Sequence, residues 1–197
     1  MHLVVARYNE SLEWLDDLPK EITYTVYNKG EDDITQSNIK VPNVGRESET
    51  YIRYILENYN KLPETVCFCQ GKPHPHHVNF LHVLSTYSNK LQPKWRKDIF
   101  PLGLPIISQL ELPSKTLHGM PVGDLVEECM PSYTDLEYIE WVYGAQYIVG
   151  KEQITNKSYE WWKKLYNLHE KYGSETPLVG SPWLFERVWL LIWNYEE

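Results

Sequence analysis

The sequence has few cysteines. Three occur among 197 residues, an odd number, and a single residue separates Cys67 from Cys69. This spacing favours two side chains on one face of a strand over a disulfide bridge. Because folding hides roughly 70% of the surface of an extended chain of this size, a hydrophobic core forms without covalent cross-links. We therefore expect free thiols and a reducing compartment.

Positive charge and long apolar runs are scarce as well. The chain has 19 Lys and Arg residues against 27 Asp and Glu residues, a formal net charge of −8. Nucleic acids and anionic membranes attract clustered positive charge, so we expect neither as a partner. The first apolar run covers only residues 3–6 and is followed by Arg7 and Glu10. It fits neither a signal peptide nor a membrane anchor, which predicts a cytoplasmic protein without membrane insertion.

What the chain does contain is enough for a packed core, since 42% of its residues are hydrophobic and 14% are aromatic. Over the first 80 residues, apolar or β-branched segments alternate with segments of helical periodicity, a pattern typical of a parallel sheet covered by helices. The predicted fold class is α/β: one domain over residues 1–197, with a single open, mostly parallel sheet flanked by helices. We predict strands over 3–6, 22–27 and 65–69, and helices over 10–18 and 47–59.

The rest of the chain is less regular at first. Residues 72–131 are rich in proline and glycine, and within them we predict only a helix over 78–84 and a strand over 106–112. Beyond them we predict a strand over 141–149 and a helix over 158–172. A last helix is expected to begin at a cap formed by Ser181 and Pro182.

Polar residues follow each of the first three predicted strands. In open α/β sheets the ligand crevice lies beyond the carboxyl ends of the strands. Residues 42–48 also precede a helix, whose first amide groups can hold an anion with help from Arg46. Two interpretations stay open from spacing alone: ordinary capping loops, or a binding site for an anionic ligand.

Several stretches of the chain resemble known families. In order, VVARYNE, YNKG, PNVGRESETYIRYI and VCFCQG resemble the amino-terminal half of the GT-A fold of nucleotide-sugar glycosyltransferases. With YGAQYIVGKEQI and PWLFERVW, they more closely resemble the domain-of-unknown-function family 3431, over residues 3–80 and 143–193.

The resemblance implies a function. It implies a Rossmann-like donor-binding half over residues 1–80 and an acceptor-binding half over 81–197. The implied activity is transfer of a sugar from a nucleotide-sugar donor to a glycan or glycoconjugate acceptor by direct displacement. The donor-binding residues that it implies are Arg7, Asn9, Glu10, Asn28, Lys29, Gly45, Arg46, Glu47, Gln70 and Gly71.

The chain departs from the GT-A pattern at its metal motif. Gln70 and Gly71 stand where metal-dependent members have Asp-x-Asp, and they are poor ligands for a hard divalent cation. Either cations such as Arg7 and Arg46 neutralise the leaving diphosphate, or the donor carries no diphosphate. A manganese or magnesium ion stays open as a cofactor.

A histidine cluster follows the third predicted strand. His74, His76 and His77 are interpreted as structural or substrate-binding residues, or as metal ligands through His74 and His76. His76 matches a histidine of the family motif and is a catalytic candidate. A metal-assisted hydrolase is therefore an alternative function. The only concentrated positive charge of the chain comes shortly afterwards, at Lys90, Lys94, Arg96 and Lys97.

The carboxyl-terminal third supplies the remaining candidates. The resemblance implies that Gln146 and Trp183 meet the acceptor, whereas Gln146 is otherwise a polar residue on an exposed strand face. Glycosyl transfer with inversion needs a carboxylate that takes the acceptor's proton, and Glu186 is the candidate, with a helix-anchoring ion pair to Arg187 as the alternative. Glu140 and Glu152 are further candidates for this base. The aromatic residues of this third either form core or stack on sugars, so a non-catalytic glycan-binding module is another alternative.

Overall fold

The centre of the protein is a mixed β-sheet. A computed structural model describes residues 1–32, 35–88, 99–133, 135–172 and 183–197. The strands of the main sheet are β1 (His2–Arg7), β2 (Thr23–Asn28), β3 (Asn38–Lys40), β4 (Thr65–Gln70), β5 (Ile99–Pro101) and β8 (Tyr147–Gly150). Their order across the sheet is β3-β2-β1-β4-β8-β5. The predicted α/β class and the first three predicted strands are confirmed.

The parallel part of this sheet brings several strand ends to one edge. β1 pairs in parallel with both β2 and β4, and β2 with β3. Arg7 lies opposite Asn28, and Ala6 lies opposite Gln70, so β1, β2 and β4 end at nearly the same level. β8 runs antiparallel to β4 and to β5. The sheet is therefore mostly parallel, as expected, but mixed.

The prediction of one strand over 141–149 is wrong. Within the described residues, a second sheet pairs β6 (Pro105–Gln109) with β7 (Tyr138–Val142), and the chain then turns before it enters β8. Gly144 and Ala145 adopt positive φ angles of 86° and 50° in this turn. Residues 141–149 are mostly apolar or aromatic in sequence, but the turn divides them between two sheets, so the expectation of a single sheet is also corrected.

Helices cover both faces of the main sheet. They are α1 (Arg46–Asn58), α2 (Phe80–Ser88), α3 (Val122–Cys129), α4 (Lys151–Thr155), α5 (Tyr159–Tyr172) and α6 (Leu184–Asn194). The predictions of α1, α5 and α6 are confirmed, and α2 begins two residues later than expected. The helix expected over 10–18 is a short 3₁₀ helix, Glu13–Asp17. The predicted cap at Ser181 and Pro182 lies outside the described residues.

Alternating side chains of the central strands form two cores. Val4 and Phe68 pack on the face covered by α1, α5 and α6, whereas Val5 and Cys69 pack on the face covered by the 3₁₀ helix and α2. The three cysteines are free, as expected, and all three are buried. No helix in the described ranges is long and apolar enough to cross a membrane. Most aromatic residues of the last third are core; among the described residues, the exposed ones are Tyr138, Tyr143, Tyr159 and Trp183.

Candidate functional site

A cavity of about 500 Å³, the rim cavity, lies at the carboxyl ends of β1, β2 and β4. Strand ends and the loops after them supply most of its walls, and α1 supplies its first two residues. The predicted convergence of polar residues on this edge is therefore present in the structure. The residues that line the cavity are Ala6, Arg7, Tyr8, Glu10, Lys29, Asn43, Arg46, Glu47 and Gln70.

Arg7 connects the loops around the rim cavity. Its buried guanidinium donates from Nη1 to Asn28 Oδ1 at 2.8 Å and to the Glu31 carbonyl at 2.7 Å. Its Nε donates to the Glu10 carbonyl at 3.0 Å. Asn28 is fully buried and donates from Nδ2 to the same Glu31 carbonyl. Both residues therefore fix the shape of the rim, and Asn28 has no surface with which to touch a ligand.

Lys29 is buried, and the protein uses all of its hydrogen-bond donors. Its Nζ donates to the carbonyls of Val44 and Arg46 and to Glu49 Oε2, the last at 2.8 Å. An ammonium group has three donors, so Lys29 acts on a ligand through its charge and through the loop that it holds. Burial lowers the pKa of Lys29, and Glu49 opposes that shift.

The amino terminus of α1 opens onto the rim cavity at Arg46. Gly45, before it, has φ +61°, and a Cβ there would lie 2.0 Å from Cε1 of the buried His169. Only glycine fits this position without displacement of its neighbour. Arg46 is exposed, and its guanidinium carbon lies 4.7 Å from the centre of the Trp183 ring. An exposed cation and the first amide groups of α1 thus occupy one wall of the cavity.

Glu47 lines the rim cavity and has a raised pKa. Burial raises the pKa of Glu47 to about 7, and the nearby charge of Glu186 adds to the increase against the opposing charges of Arg46 and Lys29. A carboxyl group with this pKa is poised to accept or donate a proton near neutral pH. The sequence placed Glu47 only among ligand-binding residues, because its partial burial and the nearby charge of Glu186 on α6 are tertiary features.

Glu186 and His76 meet at the turn between β7 and β8. Glu186 Oε1 accepts a hydrogen bond from the Gly144 amide at 2.8 Å, and Oε2 lies 2.8 Å from Arg187 Nη1. A Cβ on Gly144 would lie 2.5 Å from Cγ of His76. Burial lowers the pKa of His76, although Glu186 opposes this. Neither residue lines the rim cavity, and the contacts of Glu186 match the helix-anchoring alternative.

Gln146 is buried, contrary to the expectation of an exposed strand face. Its side chain is fully inaccessible. Its Oε1 accepts from the Gln70 amide at 3.4 Å, and its Nε2 donates to the Pro73 carbonyl at 3.3 Å. Gln70 in turn donates from Nε2 to the Gly144 carbonyl at 3.0 Å. Gln146 therefore positions Gln70 and the turn, and its side chain is not available to an acceptor.

A second cavity of about 490 Å³, the side cavity, adjoins the rim cavity. The two share Tyr8 and Glu10 as lining residues. Asn9, which the resemblance places among the donor-binding residues, lines the side cavity. Gly71 lies close to this cavity, since a Cβ on Gly71 would be 2.6 Å from Glu10 Oε2. The lining residues are Tyr8, Asn9, Glu10, Ser11, Glu13, Trp14, Lys72 and His74.

The described residues offer no good metal site. They contain no group of three or more His, Cys, Asp and Glu side chains that could hold an ion. His74 packs against Trp14 and Phe80, whereas His76 packs against Tyr143. At the rim, Gln70 and Gly71 do not fit a hard cation, and three cationic side chains line the same cavity. A manganese or magnesium cofactor stays a prediction. The basic cluster at Lys90, Lys94, Arg96 and Lys97 lies outside the described residues.

Comparison with known proteins yields one match. Residues 3–94, just under half of the 197-residue chain, match a family described as "Protein of unknown function (DUF3431)". The matched segment contains β1 to β4, α1 and all residues that line the rim cavity. No curated protein and no solved structure matches the chain. The family description specifies no activity.

Proposed function

We propose that the protein is a glycosyltransferase of the GT-A type that binds a nucleotide-sugar in the rim cavity. The observation that carries this proposal is the shared cavity of Arg7, Lys29, Arg46 and Gln70 at the carboxyl edge of the parallel strands. A volume of about 500 Å³ lies within the usual range for small-ligand sites. The position is also the usual ligand crevice of open α/β sheets.

The charge distribution of the rim cavity favours a phosphorylated ligand. Three cationic side chains and two carboxyl groups line it, and one of these carboxyls, Glu47, has its pKa raised to about 7. The amino terminus of α1 adds partial positive charge. Arg46, as the exposed cation, would touch the phosphate groups, and the buried Arg7 would add electrostatic attraction from the wall. Lys29, whose charge is offset by Glu49, holds the loop that carries Arg46.

The proposed reaction is a direct displacement at the anomeric carbon of the donor sugar. The acceptor oxygen forms the new glycosidic bond while the bond to the leaving phosphate breaks. The acceptor's proton passes to the Glu47 carboxylate, and the positive wall stabilises the departing phosphate. Glu47 takes this role in place of Glu186, because Glu186 is occupied by Gly144 and Arg187. Fixed orientation of both substrates supplies the rest of the acceleration.

Ligand-induced stabilisation tests the proposal. We expect one of the UDP-, GDP- or dTDP-sugars to raise the melting temperature, since a ligand at 100 times its Kd adds about 2.7 kcal/mol of stability. Arg46→Ala should abolish the increase, whereas Lys163→Ala, at an exposed position on α5, should leave it unchanged. Parallel titrations with and without manganese report metal dependence. Absence of stabilisation by every donor, or an equal response in Arg46→Ala, would contradict the proposal.

A further inference from the structure

We infer that the side cavity is a binding site for a neutral carbohydrate and, on the basis of the proposed function, that it holds the acceptor. Its position supports this assignment. The side and rim cavities share Tyr8 and Glu10 as lining residues, so a molecule in the side cavity would lie next to one in the rim cavity. The Gln146 side, expected from the sequence to meet the acceptor, is buried.

Two aromatic side chains give the side cavity surfaces suited to sugar rings. Tyr8 is 52% exposed. Trp14 is held in place, because its Nε1 donates to the Gly71 carbonyl at 2.8 Å and its ring packs edge-on against Phe80 at 5.7 Å. A fixed indole and an exposed phenol combine flat apolar faces with polar edges, which match the apolar faces and hydroxyl groups of a sugar.

Hydrogen-bonding groups surround these rings. Glu10 is oriented by its Oε2, which accepts from the Tyr8 amide at 2.7 Å, and its Oε1 has no partner among the residues that the structure describes. Because Gly71 has no side chain, the Glu10 carboxylate fits beside it. Glu13 and Ser11 are exposed in the same cavity. Carboxylates accept bonds from neighbouring sugar hydroxyls, and charge-assisted bonds of this kind are the stronger ones.

The charge of the side cavity distinguishes its ligand from that of the rim cavity. Two carboxyl groups and one ammonium group line it, together with neutral polar and aromatic side chains. This balance disfavours a phosphate group, which the rim cavity favours with its three cations. A neutral oligosaccharide therefore fits the side cavity better than a second nucleotide does.

This inference is tested by titrating the 197-residue protein with cellotetraose, maltotetraose, mannotetraose and chitotetraose in the absence of nucleotide. We expect at least one to bind in calorimetry and to shift the NMR signal of the Trp14 indole N–H, assigned with Trp14→Phe. Tyr8→Ala should weaken this binding about tenfold. Tyr138→Ala is the matched control, because Tyr138 is also 52% exposed but lies on β7. Glu13→Ala should weaken binding several-fold, whereas Asp17→Ala on the same 3₁₀ helix should not.

Three outcomes would overturn the inference: none of the tetrasaccharides binds, Tyr8→Ala and Tyr138→Ala weaken binding equally, or Arg46→Ala abolishes binding. The last would place the sugar in the rim cavity. Because the titration contains no nucleotide, it is separate from the test of donor binding. Sugar binding without donor binding would remove only the proposed transferase, and donor binding without sugar binding would remove only the side-cavity site.

Discussion

At the scale of single residues, Glu47 illustrates how tertiary contacts set chemistry. In the sequence it lies in the first turn of a predicted helix, and the family resemblance places it among the donor-binding residues. In the structure its burial and the charge of Glu186, far away in the chain, raise its pKa to about 7. Ionisation of Glu47 therefore costs stability, a cost typical of residues kept for function.

We predict that Glu47→Gln makes the protein more stable than the wild type at pH 8. The pKa of Glu47 is raised above its ordinary value of 4.5 to about 7 in the folded protein, so the folded state binds more protons than the unfolded state between these values. The wild type loses up to about 3 kcal/mol as the pH rises through this window, and glutamine removes the loss.

Urea unfolding at pH 5 and pH 8 measures this effect. The two proteins should differ little at pH 5, and Glu47→Gln should be the more stable at pH 8. Glu170→Gln, at an exposed position on α5, is the control. An equal pH dependence in the wild type and Glu47→Gln would show that Glu47 ionises normally.

Among the secondary-structure elements, α1 depends on the backbone geometry before its first residue. We predict that Gly45→Ala lowers the free energy of unfolding by more than the strain of placing an alanine at a positive φ angle. Gly119→Ala is the matched control, since Gly119 has φ +76° and a Cβ there would meet nothing within 4 Å. The strain in the control is about 1 kcal/mol, whereas a Cβ at Gly45 also displaces His169.

Free energies of unfolding from urea titrations, together with donor-induced melting shifts, compare these variants. Gly45→Ala should lose more stability than Gly119→Ala and should bind the donor more weakly, because its rim loop is displaced. Equal losses in the two variants would mean that the His169 contact relaxes without cost.

The elements that sequence predicts well are those with a strong local pattern. β1, β2 and β4 follow from short apolar or β-branched runs, and α1, α5 and α6 from helical periodicity. The sequence predicts β7 and β8 as one strand, because the turn between them is held by contacts with Glu186 and Gln70 that no local pattern reveals. The rim position of the site follows from strand ends, but the burial of Lys29 and Gln146 depends on loops far away in sequence.

At the scale of the whole molecule, the two halves of the chain complete one sheet. β8, from the second half, pairs with β4 and covers its open side. Phe68 on β4 also stacks against Trp193 of α6, with ring centres 5.5 Å apart. The rim cavity lies in the family-matched segment, but the core beneath it uses residues from beyond that segment.

We therefore predict that a fragment of residues 1–94 does not fold, although it contains every residue that lines the rim cavity. It would expose the edge of β4 and the apolar residues that α5 and α6 cover. Amide proton NMR spectra check this: the full chain should give dispersed signals and the fragment collapsed ones. A dispersed spectrum for the fragment would contradict this prediction, because it would mean that residues 1–94 form a hydrophobic core by themselves.

The wall formed by Tyr8 and Glu10 has a thermodynamic consequence. Because both side chains border the rim and the side cavity, a molecule that reorients them in one cavity changes the affinity of the other. Such heterotropic linkage must be reciprocal, with one coupling free energy obtained from either order of addition. The extent to which each bound substrate retains the other would then depend on these two neighbouring side chains.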